Sequence, residues 1–181
     1  WVYNVFDWSY PYYSHDIYTR KVLSKEILSN YNEYFKIEEK TQSYPHTFYK
    51  YERIDSANGL VYRFDSECTN PNQEKVIDDF SAEVGDSIPI KRFTSCNDEV
   101  LSFFKQDGIQ NIFGVSREFR TFEYDYLQVF EHTLVKDFGL LNISISYDFG
   151  NTGYTLKGCI INGNVFGDTT LTDVENEQNP I

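Results

Sequence analysis

The fold is decided by the stretch Phe48-Tyr-Lys-Tyr-Glu-Arg-Ile-Asp55, Ser56-Ala-Asn-Gly59, Leu60-Val-Tyr-Arg-Phe-Asp65. Both of its arms are rich in the aromatic and β-branched residues that favour strands. The second arm alternates, with Leu60, Tyr62 and Phe64 on one face. Asn58-Gly59 supplies the positive φ that a tight hairpin turn requires. This stretch therefore predicts two antiparallel strands joined by a short turn.

Strand patterns of the same kind extend from this hairpin in both directions. The other predicted strands are Trp1–Phe6, Ile17–Leu28, Tyr31–Lys40, Val76–Phe80, Asn111–Tyr124, Tyr126–Val135, Leu140–Asp148 and Tyr154–Phe166. Asn162-Gly163 marks a further tight turn or a bulge. Asn97–Lys105 has two interpretations, a short helix capped by Asn97 or a bulged strand.

About ten short strands separated by turns, with no helix-length periodicity between them, predict a mainly β fold. We expect a single antiparallel β domain, as a barrel, half-barrel or sandwich, with at most one or two short helices. The domain is expected to span residues 1–168. Residues 169–181 are acidic and polar and predict a linker or tail.

Composition excludes some classes of partner. The net charge of -12 argues against nucleic acid, because phosphate binding needs clustered Lys and Arg. No apolar run reaches the roughly 18 residues of a membrane span. Because the sequence has no Met, we expect Trp1 to be an end left by processing, such as removal of a signal peptide, and the alternative is that Trp1 marks an arbitrary boundary. We therefore expect a secreted or cell-surface protein.

Cysteine usage fits that expectation. Cys68 and Cys96 both lie in polar, turn-like sequence, and we predict that they form a disulfide. Cys159 lies in an apolar run and is expected to be a buried small hydrophobe, although pairing between chains is the alternative. Zinc is not expected, because the chain has no Cys-x-x-Cys and its histidines have no ligand-like spacing.

Four phrases occur in a fixed order from residue 51 onward. They are Tyr51–Asp55 leading to Gly59–Phe64, Asp79–Asp86, Lys136–Leu141 and Leu156–Asp168. This order resembles a secreted β-rich domain of unknown function from type IX secretion cargo proteins of Bacteroidetes-related bacteria. The resemblance covers residues 48–181 and implies secretion and a β fold, but it supplies no catalytic residues. The sorting domain that follows in such proteins is missing here, which cleavage or truncation would explain.

No motif predicts a catalytic site. A Ser-His-Asp triad would have to use His132, which we expect to project from a strand instead. The adjacent pairs Asp78-Asp79 and Glu38-Glu39 point to opposite faces of a strand and cannot address one substrate. No metal is predicted. Calcium in the Asp- and Asn-rich turns at Asp65–Asn72, Asp148–Asn151 or Asn162–Asp168 is a weak alternative, because none has the EF-hand pattern.

Aromatic residues are the one excess with functional potential, at 18% of the chain. Trp8, Tyr10, Tyr12 and Tyr13 cluster in the first loop, and we take them as candidate contacts for a ligand or partner. A second stripe, formed by Phe122, Tyr124 and Tyr126, has the same potential. The structural alternative is that these rings are the core and rim of the sheet.

The leading hypothesis is a non-enzymatic secreted or cell-surface domain for interaction or assembly. Trp1, Tyr3 and Val5 could add to the sheet edge of a neighbour and build an extracellular polymer. Self-association or a protein partner is thus expected. One alternative is a module that binds polysaccharide or a small ligand through its aromatic rings. The other is a hydrolase with an unrecognised site.

Overall fold

The chain folds into strands throughout the part that the structure describes. The computed structural model describes residues 1–7, 14–43, 46–69, 72–96, 101–125, 128–148 and 150–170, and none of these is helical. The strands are β1 Val2–Asp7, β2 Ser14–Ile27, β3 Glu33–Thr41, β4 Thr47–Asp55, β5 Leu60–Phe64, β6 Glu74–Asp79, β7 Ser87–Ile88, β8 Ser102–Ile112, β9 Val115–Asp125, β10 Val129–Val135, β11 Gly139–Tyr147, β12 Gly150–Ile161 and β13 Asn164–Gly167. The prediction of a mainly β, antiparallel fold is confirmed.

The strands form one sheet from two meanders. The first meander is β1–β6 and the second is β7–β12, and in each of them consecutive strands pair antiparallel. β1 and β12 pair in the middle of the sheet and join the two meanders. β13 folds back onto β12. The sheet therefore begins at β6 and ends at β7.

The two ends of the sheet meet. The chain after β7 returns beside β6, where Lys91 N donates to Val76 O at 2.7 Å. Lys75 Nζ donates to Thr94 O at 2.9 Å, and the Arg92 guanidinium pairs with Asp78. These contacts nearly close the sheet into a barrel, so the inward faces of both meanders share one interior.

The predicted disulfide is confirmed at this closure. Cys68 follows β5 and Cys96 follows β7, with their Cα atoms 5.3 Å apart. A cross-link over a sequence separation of 28 residues contributes about 3.5 kcal/mol in the chain-entropy account. Cys159 is buried and carries a free thiol, as predicted.

The apolar core belongs almost entirely to the second meander and the segments around it. Its buried cluster is Tyr3, Ala82, Ile88, Ile90, Phe104, Ile112, Phe122, Leu134, Val135, Phe138, Leu140, Leu156 and Cys159. Phe122 is fully buried and its ring stacks on Phe104 and on His132, with both centroid separations 5.1 Å. Tyr3 of β1 is the one member of this cluster from the first meander.

Glycine-containing turns account for one strand boundary that was predicted correctly and for one that was missed. The Asn58-Gly59 hairpin is confirmed, with Gly59 at a φ of 71°. The prediction of one strand from Asn111 to Tyr124 is wrong, because the chain turns at Phe113-Gly114 between β8 and β9. Gly114 has a φ of 80°, and its N–H donates to Asn111 Oδ1 at 3.0 Å.

Both open interpretations are resolved where the structure describes the residues. Ser102–Lys105 belong to β8, so the bulged-strand interpretation holds there, whereas Asn97–Val100 lie outside the described residues. Asn162-Gly163 is a tight turn between β12 and β13. The described residues form thirteen strands rather than the expected ten or so, because β7 and β13 are short and the prediction merged the end of β8 with β9. The predicted tail lies mostly in residues 171–181, also outside the described part.

Candidate functional site

Charged side chains, alongside apolar ones, occupy much of the barrel interior on the first meander. They alternate along their strands with residues of the opposite face, so strand geometry turns them inward. We call them, together with Arg92 after β7, the interior charge cluster. Its members are Arg20 of β2, Glu39 of β3, Lys50 and Glu52 of β4, Arg63 of β5, Asp78 of β6, and Arg92.

Glu52 is the centre of one half of this cluster. Its Oε1 lies 2.6 Å from Arg20 Nη2 and 2.7 Å from Arg63 Nη2. Burial alone would raise the pKa of Glu52, but the two guanidinium groups outweigh it and hold that pKa well below the usual carboxyl range. Glu52 is therefore a buried carboxylate at neutral pH, shared by two cations.

Glu39 continues the network toward the barrel mouth. Its Oε1 accepts a hydrogen bond from Arg20 Nε at 3.0 Å, and its Oε2 lies 2.7 Å from Lys50 Nζ. Burial opposes the charge on Glu39, but Lys50 and Arg20 lower its pKa in total. Arg20 thus bridges two carboxylates, and Lys50 forms the outer end of the chain of ion pairs.

Asp78 forms the other half of the cluster, at the closure between β6 and the chain after β7. Arg92 Nε donates to Asp78 Oδ1 at 3.0 Å, and Arg92 Nη2 binds the second carboxylate oxygen. His132 Nε2 of β10 lies 3.3 Å from Asp78 Oδ1. Burial lowers the pKa of His132, although its contact with Asp78 raises it, so the imidazole is neutral at pH 7.

Two clefts open on either side of the interior charge cluster. The first, which we call the apolar cleft, has a volume of about 290 Å³ and is lined mainly by aliphatic and aromatic side chains. The second, the cationic cleft, has a volume of about 540 Å³. Arg20, Arg92 and Leu140 line both clefts, so the two spaces are neighbours within one interior.

The apolar cleft has an apolar rim that faces water. Val22 of β2, Ile54 of β4 and Phe80 after β6 line it with 41%, 62% and 41% of their surfaces exposed. Deeper in the cleft lie buried residues such as Val61 and Leu134. A continuous exposed apolar patch leading into a cleft is typical of a binding site.

The cationic cleft combines aromatic rings with positive charge. Among the described residues, its charged lining consists of the cations Arg20, Lys50, Arg63 and Arg92 and the carboxylate Glu39. Five aromatic side chains complete its walls, namely Tyr18, Phe48, Tyr49, Phe93 and Tyr154. Phe48 and Tyr49 are 58% and 51% exposed at its mouth. This cleft therefore suits a ligand with both an apolar body and a negative group.

The candidate contacts of the first loop, Trp8, Tyr10, Tyr12 and Tyr13, lie outside the described residues. In the second stripe, Phe122 and Tyr124 are buried, in line with the core alternative.

The strand-exchange candidates Trp1, Tyr3 and Val5 lie in or next to the central strand β1. β1 pairs with β12 on one side and β2 on the other, so it has no free edge. Exchange would have to break both ladders, and self-assembly through β1 stays a prediction. Trp1 and Tyr3 instead line the apolar cleft, where Trp1 Nε1 donates to Phe138 O at 2.5 Å.

The residues considered as catalytic candidates either lie on different faces of a strand or are already engaged in contacts with other side chains. The ring of His132 is 2% exposed and packs between Phe93 and Phe122, which keeps substrates from it. Asp78 is buried against Arg92, whereas Asp79 accepts hydrogen bonds from the turn at Ser81. Glu39 faces the interior, whereas Glu38 pairs with Lys40 at 2.9 Å. The two adjacent acid pairs therefore split between faces, as predicted.

Metal binding has little support among the described residues. Asp65, Cys68 and Cys96 come together, but the two sulfurs are joined in the disulfide and offer no thiolate. In the turn at Asn162–Asp168, the Asp168 carboxylate is bound by Lys157 and Thr170. Calcium in the acidic turns stays a prediction.

Sequence reasoning missed the interior charge cluster. Its signal was present, since Arg20, Glu52 and Arg63 alternate in register with apolar residues that face the interior. A charged residue on a strand is ordinarily read as solvent-facing, so one strand at a time gives no hint of enclosure.

Comparison with protein-family models, with curated proteins and with solved structures found no match. In the described residues, no helix is long and apolar enough to cross a membrane.

Proposed function

We propose that this chain is a non-enzymatic binding protein that holds a small amphipathic molecule inside its β-barrel. The observation that carries the proposal is the apolar cleft with its exposed rim of Val22, Ile54 and Phe80. These three side chains come from different segments and converge on one opening. Folding alone would favour burying them, whereas a ligand would cover them on binding.

The dimensions of the interior suit a small molecule. Ligand pockets in proteins measure roughly 300–1,000 Å³ and combine apolar walls with a few placed polar groups. The two clefts, of about 290 and 540 Å³, fall at and within that range. The ion-paired side chains between them fix rotamers, so the site is formed before the ligand arrives.

We further propose that the protein works outside the cell. The disulfide between Cys68 and Cys96 is compatible with an oxidising compartment and gives this proposal its physical support. The resemblance to type IX secretion cargo points the same way and stays a prediction. A binding protein of this kind would capture or carry an amphiphile in the extracellular space.

An uncharged fluorescent probe tests the binding proposal. N-phenyl-1-naphthylamine brightens in apolar sites, and we expect saturable binding to the protein. Ile54→Gln removes roughly 40 Å² of apolar contact with the probe, which at about 25 cal/mol per Å² corresponds to about fivefold weaker binding. Titration of probe fluorescence against protein concentration measures both values.

The matched control is Ile109→Gln on β8. Ile109 is 73% exposed and lies in neither cleft, so its replacement should leave probe binding unchanged. Urea unfolding of both variants checks that they remain as stable as the wild type. The proposal fails if the wild type binds no probe, or if Ile109→Gln weakens binding as much as Ile54→Gln does.

A further inference from the structure

We infer that the molecule bound inside the barrel is an anionic amphiphile of the long-chain carboxylate class, with its head group in the cationic cleft and its chain along Leu140 into the apolar cleft. The inference rests on the proposed function and names the chemistry of the ligand. Three features of the interior carry it: its charge balance, the accessibility of one cation, and the walls that join the clefts.

The charge balance is the first feature. Among the described side chains that line the two clefts, four are cationic and three are carboxylates. The cations are Arg20, Lys50, Arg63 and Arg92, and the carboxylates are Glu39, Glu52 and Asp78. Each carboxylate already pairs with at least one cation, so among the described side chains of the two clefts the cations exceed the carboxylates by one. A charge excess in an enclosed space is unfavourable, and a bound anion removes it.

The excess of positive charge in the clefts is opposite in sign to the net charge of the whole molecule. The whole chain has a net charge of -12, with 16 Lys and Arg in total. A cleft with four cations and one carboxylate is therefore a local reversal of a strongly acidic protein. The protein as a whole is acidic, so its overall composition does not explain the excess of cations in this cleft. A site that binds a negatively charged ligand, within a surface that otherwise repels such a ligand, does explain it.

Accessibility is the second feature. Lys50 is the outermost member of the interior charge cluster, and its side chain is 37% exposed, against 13% and 12% for Arg20 and Arg63. Burial and the nearby Arg63 lower the pKa of Lys50, although Glu39 raises it. A carboxylate placed beside Lys50 would favour the charged ammonium and gain a charge-assisted hydrogen bond.

The walls are the third feature. The cationic cleft is also lined by Leu140, Ile143 and Ile145, which would contact the first methylene groups of an acyl chain. Leu140 also lines the apolar cleft, where Val61 and Leu134 would contact the remaining methylene groups. A head group held by cations and a chain held by apolar walls together match a fatty-acid-like molecule.

The test compares three ligands that share a twelve-carbon chain. Dodecanoate, dodecan-1-ol and dodecyltrimethylammonium are titrated into the full chain by calorimetry at pH 7.5, with the two ionic ligands below their micelle-forming concentrations and the alcohol below its solubility limit. We expect dodecanoate to bind at least tenfold more tightly than dodecan-1-ol, because charge-assisted hydrogen bonds contribute more than neutral ones. The ammonium ligand should bind most weakly.

Lys50→Gln locates the head group. We expect it to weaken dodecanoate binding about tenfold and to leave dodecan-1-ol binding unchanged. The matched control is Lys40→Gln. Lys40 is 48% exposed on the outer face of β3 and pairs only with Glu38 in the described ion pairs, so dodecanoate affinity should not change. Unfolding midpoints of both variants confirm that they stay folded.

The outcomes separate this inference from the proposed function. Equal affinities for dodecanoate and dodecan-1-ol would overturn the anionic head group and leave an apolar binding protein. Loss of selectivity in Lys40→Gln but not in Lys50→Gln would overturn the placement of the head group. Failure of all three ligands and of the uncharged probe would overturn the proposed function and this inference with it.

Discussion

The first and second meanders line the same interior with different chemistry. The first contributes the buried carboxylates Glu39, Glu52 and Asp78, whereas the second contributes rings and aliphatic side chains such as Phe104, Phe122 and Leu156. The second meander therefore supplies most of the apolar core that stabilises the barrel, while the first supplies the buried charged side chains.

The energetic cost of burying charged groups supports this difference in role between the two meanders. Ionised groups lose hydration on burial, and replacing a buried ion pair by apolar residues of similar volume is often neutral or stabilising. A chain selected only for stability would therefore carry the apolar pattern on both meanders. The charges retained beside an open cleft support the proposed role in binding. Substitution of one of these charged residues should destabilise the protein, because it leaves the other member of the ion pair buried without a partner.

The largest expected effect belongs to the apolar half. Phe122→Ala should lower the free energy of unfolding by about 4 kcal/mol, because it removes a fully buried ring and leaves a cavity. Urea unfolding followed by far-UV circular dichroism measures the change. A loss below about 1 kcal/mol would show that the second meander does not form the stabilising core.

A smaller loss is expected in the charged half. Glu52→Gln should lower the free energy of unfolding by about 3 kcal/mol, since Arg20 and Arg63 lose the carboxylate they share. The matched control is Glu38→Gln on the outer face of β3, which should change it by less than about 1 kcal/mol. Equal effects in the two variants would remove the distinction between interior and surface charge.

The smallest effect concerns pH. Burial lowers the pKa of His132, so the unfolded chain takes up a proton first as pH falls below the ordinary histidine value of about 6.5. The stability attached to neutral His132 is complete above that pH and is lost below it, by at most about 1.4 kcal/mol per pH unit. In His132→Phe this part of the loss should vanish.

The comparison of wild type and His132→Phe requires urea unfolding at several pH values between 7.5 and 5. Phe keeps the ring contacts with Phe93 and Phe122, and Asp78 retains Arg92. Parallel stability curves for the two proteins would mean that His132 is not held neutral by burial. Below about pH 4 both proteins should lose stability together, since the lowered pKa values of Glu52 and Asp78 act there.

Local signals predicted much of the fold. Asn58-Gly59 specified its hairpin because few residues adopt positive φ without strain. Cys68 and Cys96 were paired correctly because their polar, turn-like surroundings set them apart from Cys159. Phe113-Gly114 was missed because strand-forming residues continue on both sides of it. A single Gly in such a run reads equally well as a bulge.

The candidate site could not be predicted from sequence patterns within single strands. Alternation states which residues share a face, but it does not state that a face is enclosed by a distant part of the chain. Arg92 reaches Asp78 only because the chain after β7 returns to β6, and His132 arrives from the opposite wall. The interior charge cluster is thus a product of barrel closure, which is a long-range property of the whole sheet.

Binding of a long-chain carboxylate inside the barrel would be visible in a crystal structure of the protein grown with dodecanoate. We expect an acyl chain against Leu140 and Val61, with a carboxylate oxygen within about 3 Å of Lys50 Nζ or of the Arg63 guanidinium. An empty interior at saturating dodecanoate, or a ligand held only on the outer face of the sheet, would contradict it.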